Sequence, residues 1–180
     1  LFSASSLTLF LSFNYMDAGV ASTMLFVYPV LVAVLMIIFF HEKPSIVTGL
    51  SICLALGGIM LLYHGDNGAT LSLMGVMMVM LSSLTYAVYI ILVNKSSLRM
   101  SSIKLTFYIT VIGTIAIGLF SIVMPGNHLQ WLSSPSMWLY ALILALLPTI
   151  ISLVMMTIAI HEVGSTPAAI MGALEPVTAV

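Results

Sequence analysis

Charge is scarce in this 180-residue chain: only 5% of its residues are Asp, Glu, Lys or Arg, against roughly 25% in a soluble domain. Four bases stand against five acids, so no basic surface exists to hold nucleic acid. Cysteine is almost missing as well. Cys53 alone excludes a disulfide framework and a cysteine-based metal site. No Gly-x-x-x-x-Gly-Lys loop is present, which argues against direct use of ATP. What is plentiful is apolar. Such residues make up 62% of the chain, and the mean hydropathy is +1.26. That balance excludes a soluble globular protein and a disordered chain. It predicts an all-α, polytopic membrane protein, multi-pass in a lipid bilayer.

A bilayer span needs about 20 mostly apolar residues. Polar, Gly and Pro clusters divide the chain into seven such segments: Leu1–Tyr15, Val20–Phe40, Ser45–Tyr63, Leu71–Val93, Leu105–Met124, Met137–Ile160 and Ser165–Val180. The runs are too long for barrel strands and lack clean alternation. The first and last segments read as spans cut short. No charged n-region or cleavage site marks Leu1–Phe13 as a signal peptide. Asp17 is placed to cap the second span, and Pro44 suits the first turn of the third. The basic stretch Asn94–Lys104 belongs in the cytoplasm by the positive-inside rule. Counting spans then places His41–Lys43 there too, and leaves the loops at 17–19, 64–70 and 125–136 outside without Lys or Arg.

Two stretches resemble each other at an offset of 147 residues, FNYMDAGVASTMLFVYPV from Phe13 and IHEVGSTPAAIMGALEPV from Ile160. Ala21 matches Ala168, Met24 matches Met171, Pro29 matches Pro176 and Val30 matches Val177. An odd number of spans separates them, so the copies cross the membrane in opposite directions. Inverted repeats of this kind build many secondary transporters.

Three stretches stand out: Ala18–Leu62, with Pro29, Glu42, Gly49 and Gly57-Gly58; Gly75–Lys95; and Gly164–Val180, with Leu174-Glu175-Pro176-Val177. Together they resemble the EamA family of the drug/metabolite transporter superfamily. The resemblance implies ten helices in two inverted halves, of which this chain would supply helices three to nine. Residues 1–64 would then be the C-terminal part of the first repeat, and 71–180 the N-terminal part of the second. One departure is Leu147-Pro148, where the family commonly has a Gly-rich stretch.

The implied function is alternating-access transport of a small metabolite or drug-like solute, without ATP or a cofactor. A membrane-embedded enzyme and a non-transporting assembly subunit are the alternatives. The enzyme would need a catalytic constellation inside the spans. His41-Glu42 and His161-Glu162 do not supply one, because Ser45 and Ser165 stand where a zinc-binding second His would be.

Glu175, deep in its span, is the foremost substrate or proton site, since an intramembrane carboxylate is costly unless it is used. Tyr28 is its counterpart in the first copy and is expected in the same substrate site. Asn14, Tyr86 and Tyr89 are expected to line the same solute cavity. Pro29 and Pro176 are expected to break their helices as hinges. Gly49, Cys53 and Gly57 form a small-residue stripe, suited either to packing within one subunit or to a homodimer seam. The fourteen Met residues lack the clustering of a copper path and suit adaptable packing. Asn94-Lys95-Ser96 fits a glycosylation acceptor but falls in the cytoplasmic loop.

Overall fold

The computed structural model describes residues 1–43, 46, 49, 50, 52–54, 57, 72–95, 101–123 and 133–172. Among them the only regular structure is helical. Helix α1 (Phe2–Ser12) leads through a turn to α2 (Ala18–Leu25). Asp17 caps α2 as expected, its carboxylate accepting from the amides of Gly19 at 2.8 Å and Val20 at 3.4 Å. The expected span Val20–Phe40 is not one smooth helix. It breaks at Phe26 and Val27, whose amides tighten onto Thr23 and Met24, and resumes as α3 (Tyr28–Phe40). Pro29 explains the break: it has no N–H to continue the helical bonding. His41 closes α3 in the left-handed conformation, at φ 53°, and the Glu42 amide reaches back to the Met36 carbonyl.

Of the expected third span, residues 46, 49, 50, 52–54 and 57 are described, and all are helical. Next come α4 (Leu73–Lys95) and α5 (Ser102–Val123). Helix α6 (Pro135–Leu144) is capped by Ser134, whose hydroxyl accepts from the Met137 amide. It runs through a π-helical segment (Ala145–Ile151) into α7 (Ser152–Val163). The π turn resolves the expected irregularity at Leu147-Pro148. Pro148 cannot donate to the Leu144 carbonyl, and Thr149 Oγ1 donates to it instead at 3.1 Å. Gly164, at φ 91°, makes the corner to α8 (Ser165–Gly172). Only glycine takes that conformation without strain.

Among the described residues, four stretches are long and apolar enough to cross a bilayer: Ala18–Phe40, Leu73–Lys95, Ser102–Val123 and Pro135–Val163. Helix α4 is the hub, touching α1, α2, α3, α7 and α8. The core is small and gathers around it. Val32 and Met36 of α3, Ala87 and Ile90 of α4, Ile160 of α7, and Ala168 and Ala169 of α8 pack together. Large apolar side chains such as Phe107, Ile122 and Leu139 point outward. This distribution suits a lipid surround, where burying apolar surface gives no drive and small residues and hydrogen bonds hold helices together. Both devices appear. Gly75 lets α4 approach Tyr15 and Met16, and Ser5 of α1 exchanges buried bonds with Ser82 of α4. Ser5 Oγ donates to the Ser82 carbonyl at 3.0 Å, and Ser82 Oγ donates to the Ser5 carbonyl at 2.7 Å.

Candidate functional site

The second stretch packs on the helix that continues the first: α8 lies along α3. The start of α8 touches the end of α3, where Thr166 Oγ1 donates to Glu42 Oε2 at 3.4 Å. The end of α8 touches the start of α3, where the Tyr28 hydroxyl lies against Gly172 so closely that a Cβ there would collide with it. Helices α3 and α8 therefore run antiparallel, the direction expected of an inverted repeat.

Tyr28 opens onto an aromatic cluster. Tyr86 and Tyr89 share one face of α4, three residues apart. Tyr86 stacks on Tyr89 at 5.8 Å and 26°, and meets Tyr28 edge-on at 4.8 Å and 83°. Phe2 of α1 leans on Tyr89 at 5.5 Å, and Phe26, in the α2–α3 break, leans on Tyr28 at 6.3 Å. Tyr28 and Tyr89 are buried, and Tyr86 is half-buried. The Tyr89 side chain hydrogen-bonds Thr157 of α7. Thr157 Oγ1 itself donates to the Leu153 carbonyl at 2.7 Å, which leaves its lone pairs to accept from the phenol. Five helices thus converge on three tyrosines.

A cleft of about 320 Å³ adjoins the cluster, lined by Phe2, Ser3, Tyr89, Leu92, Leu105 and Ile109 among others. That volume is at the lower end of the range for small-molecule sites. Its walls are apolar apart from Tyr89 and Ser3. A second groove of about 600 Å³, on the α3–α4 face, is lined only by Leu, Val and Met, including Met74, Met77 and Leu81. It offers no polar group to orient a solute.

The structure gathers Tyr28, Tyr86 and Tyr89 and places Pro29 one residue beyond Tyr28. It sets Asn14 apart. Asn14 is exposed in the turn after α1, because that helix ends at Ser12. It lies at the Tyr15–Gly75 end of α4, away from the tyrosines. Glu175 and Pro176 lie outside the described residues. Gly49 and Gly57 of the small-residue stripe have nothing within 4 Å of an added Cβ, and Cys53 is exposed.

Sequence reasoning missed Phe2, Phe26, Thr157 and Gly172. No local signal marks them, since their roles follow from which helices are neighbours. The ends of α3 and α4 and the start of α8 meet at one end of the bundle. Asn94 Nδ2 donates to Ser165 Oγ at 3.1 Å, Lys95 sits 4.7 Å over the Phe40 ring, and Thr166 bonds Glu42. Asn94, the residue of the glycosylation motif, has its amide committed to α8.

Comparison with known proteins agrees with this architecture. The model of the EamA-like transporter family matches residues 1–64 and 73–180. An uncharacterized transporter of Synechocystis sp. is 29% identical over 174 residues, covering 93% of this chain and 51% of its own length. The chain therefore spans about half the length of that curated relative. No solved structure matches it. With a family match over nearly all of a helical, bilayer-length chain, this multi-pass membrane protein belongs to the EamA-like transporter family.

Proposed function

We propose that the whole protein carries a small metabolite or drug-like solute across the plasma or inner membrane by alternating access, as a secondary transporter rather than an enzyme. One observation supports this reading: α8, from the second stretch, packs antiparallel on α3, which continues the first, with a tyrosine cluster at their contact. Halves so related can exchange conformations and so expose a shared site to each side in turn. Tyr28, Tyr86 and Tyr89 present aromatic faces and hydroxyls beside the cleft, which suits a small amphipathic solute. We assign Glu175 to the same site, as the carrier of a coupling proton. Pro29 and Pro176 are the hinges of the two copies. Asn14, at the end of α1, would meet solute on the outer side. Solute and bilayer are the partners that the family implies. The open Gly49–Cys53–Gly57 stripe is our choice of seam for a homodimer.

The test is uptake by the full-length parent in proteoliposomes, with labelled amino acids, nucleobases, sugars and amphipathic drugs, with and without an imposed proton gradient. Saturable uptake of one class without ATP supports the proposal. Tyr86→Ala should then raise KM about three- to tenfold, the loss of a contact of roughly 1 kcal/mol. Glu175→Gln should abolish the pH dependence of uptake. Uptake of no class by folded protein would sink the reading; an unchanged KM would remove Tyr86 from the site, and retained pH dependence would clear Glu175 of proton coupling.

A further inference from the structure

One atom, the carbonyl oxygen of Leu25, joins the α2–α3 break to α4. In an unbroken helix it would accept from the amide four residues on, but that residue is Pro29. Ser83 of α4 donates to it instead, at 3.2 Å. The same hydroxyl stands 2.9 Å from the Val79 carbonyl of its own helix. A serine hydroxyl has a single proton, so two acceptors share it. Ser83 is fully buried, and the lipid around the bundle offers no substitute donor. The interior proline of the Pro135–Val163 span, Pro148, is handled differently. The carbonyl left by Pro148 is satisfied within its own span by Thr149. The Pro148 break is therefore self-contained, whereas the Pro29 break is tied to a neighbouring helix.

We propose that Ser83 is a two-position latch on the α2–α3 break. When it is engaged, its proton rests on Leu25 and pins the end of α2 to α4. When it is released, the proton rests on Val79, and α4 loses nothing. The cost of release falls wholly on the Leu25 carbonyl. Tyr28 begins α3 directly after the break, so the latch also positions Tyr28 against Gly172. Ser83 is in this sense a positioning residue. The inference concerns one hydrogen bond and one proline, and its test needs no substrate, so it stands or falls separately from the transport reading.

The test is hydrogen–deuterium exchange of the full-length parent in lipid nanodiscs, read on peptides covering residues 21–31. Ser83→Ala should speed exchange there about threefold, with roughly twentyfold as the ceiling for a strong intramembrane bond. Pro29→Ala gives the Leu25 carbonyl a donor of its own. In that background Ser83→Ala should change exchange by about twofold or less, the scatter expected of uncoupled sites. An equal acceleration in both backgrounds would show that Ser83 merely packs, and no acceleration beside Pro29 would show that the bond holds nothing. Either result overturns the latch. Ser83→Thr keeps the hydroxyl and should exchange like the parent. If Ser83→Ala alone does not fold, adding Pro29→Ala should restore folded protein; a double variant that also fails overturns the proposal.

Discussion

Gly172 and Tyr28 provide the sharpest quantitative test of how the two copies fit together. Replacing Gly172 with Ala favours helix α8 by up to about 1 kcal/mol. It also drives a methyl into the Tyr28 hydroxyl, and overpacking of a tight contact costs about 1–3 kcal/mol. Gly172→Ala should therefore lower stability by about 0–2 kcal/mol. Tyr28→Phe removes the oxygen that collides. The nearest ring atom, Cζ, is 3.5 Å from the added Cβ, an ordinary contact. The double variant should regain the helix preference without the clash. The coupling energy between the two sites is then about 1–3 kcal/mol in favour of the pair. Any other interaction of the Tyr28 hydroxyl cancels in the cycle. The assay is thermal unfolding of the full-length parent and its three variants in one detergent. Additivity within about 0.5 kcal/mol would refute the contact, and with it the claimed packing of α3 on α8.

Two further predictions concern hydrogen bonds between helices. Ser5→Ala with Ser82→Ala removes both bonds between α1 and α4 and should cost about 1–2 kcal/mol, at the average measured for such bonds in membranes; an unchanged Tm in detergent would contradict it. Thr157→Val keeps the shape of the residue but deletes the acceptor for Tyr89, and should cost about 1 kcal/mol. Thr157→Ser, which keeps the hydroxyl, should lose less; a loss in Thr157→Ser with none in Thr157→Val would show that volume, not the hydrogen bond, matters there.

Much of the fold is legible because a bilayer imposes a length and a composition on whatever crosses it. Asp17, Gly164 and Ser165 mark helix ends by their own chemistry, and the structure sets boundaries at them. Pro29 and Pro148 announce irregular helix but not its form. One yields a break two residues upstream, the other a π turn, and the difference lies in who satisfies the freed carbonyl. Asn14 reads as part of a span because the residues before it are apolar, yet α1 stops at Ser12. Serine in a span commonly bonds back to its own helix. That Ser5, Ser82 and Ser83 reach other helices depends on which neighbours the fold provides. The tyrosines are conspicuous in the sequence as single amphipathic residues. Their meeting with Phe2, Thr157 and Gly172 depends on helices far apart along the chain.

The central claim is that the two copies cross the membrane in opposite directions. Ala18, at the exposed start of α2, and Val163, at the exposed end of α7, mark where each copy begins. With Cys53 replaced in the full-length parent, a single cysteine is placed at one or the other and treated with an impermeant thiol reagent in intact and opened cells. The account predicts that Ala18→Cys reacts from outside and that Val163→Cys reacts only after opening. Reaction of both from the same side would contradict it.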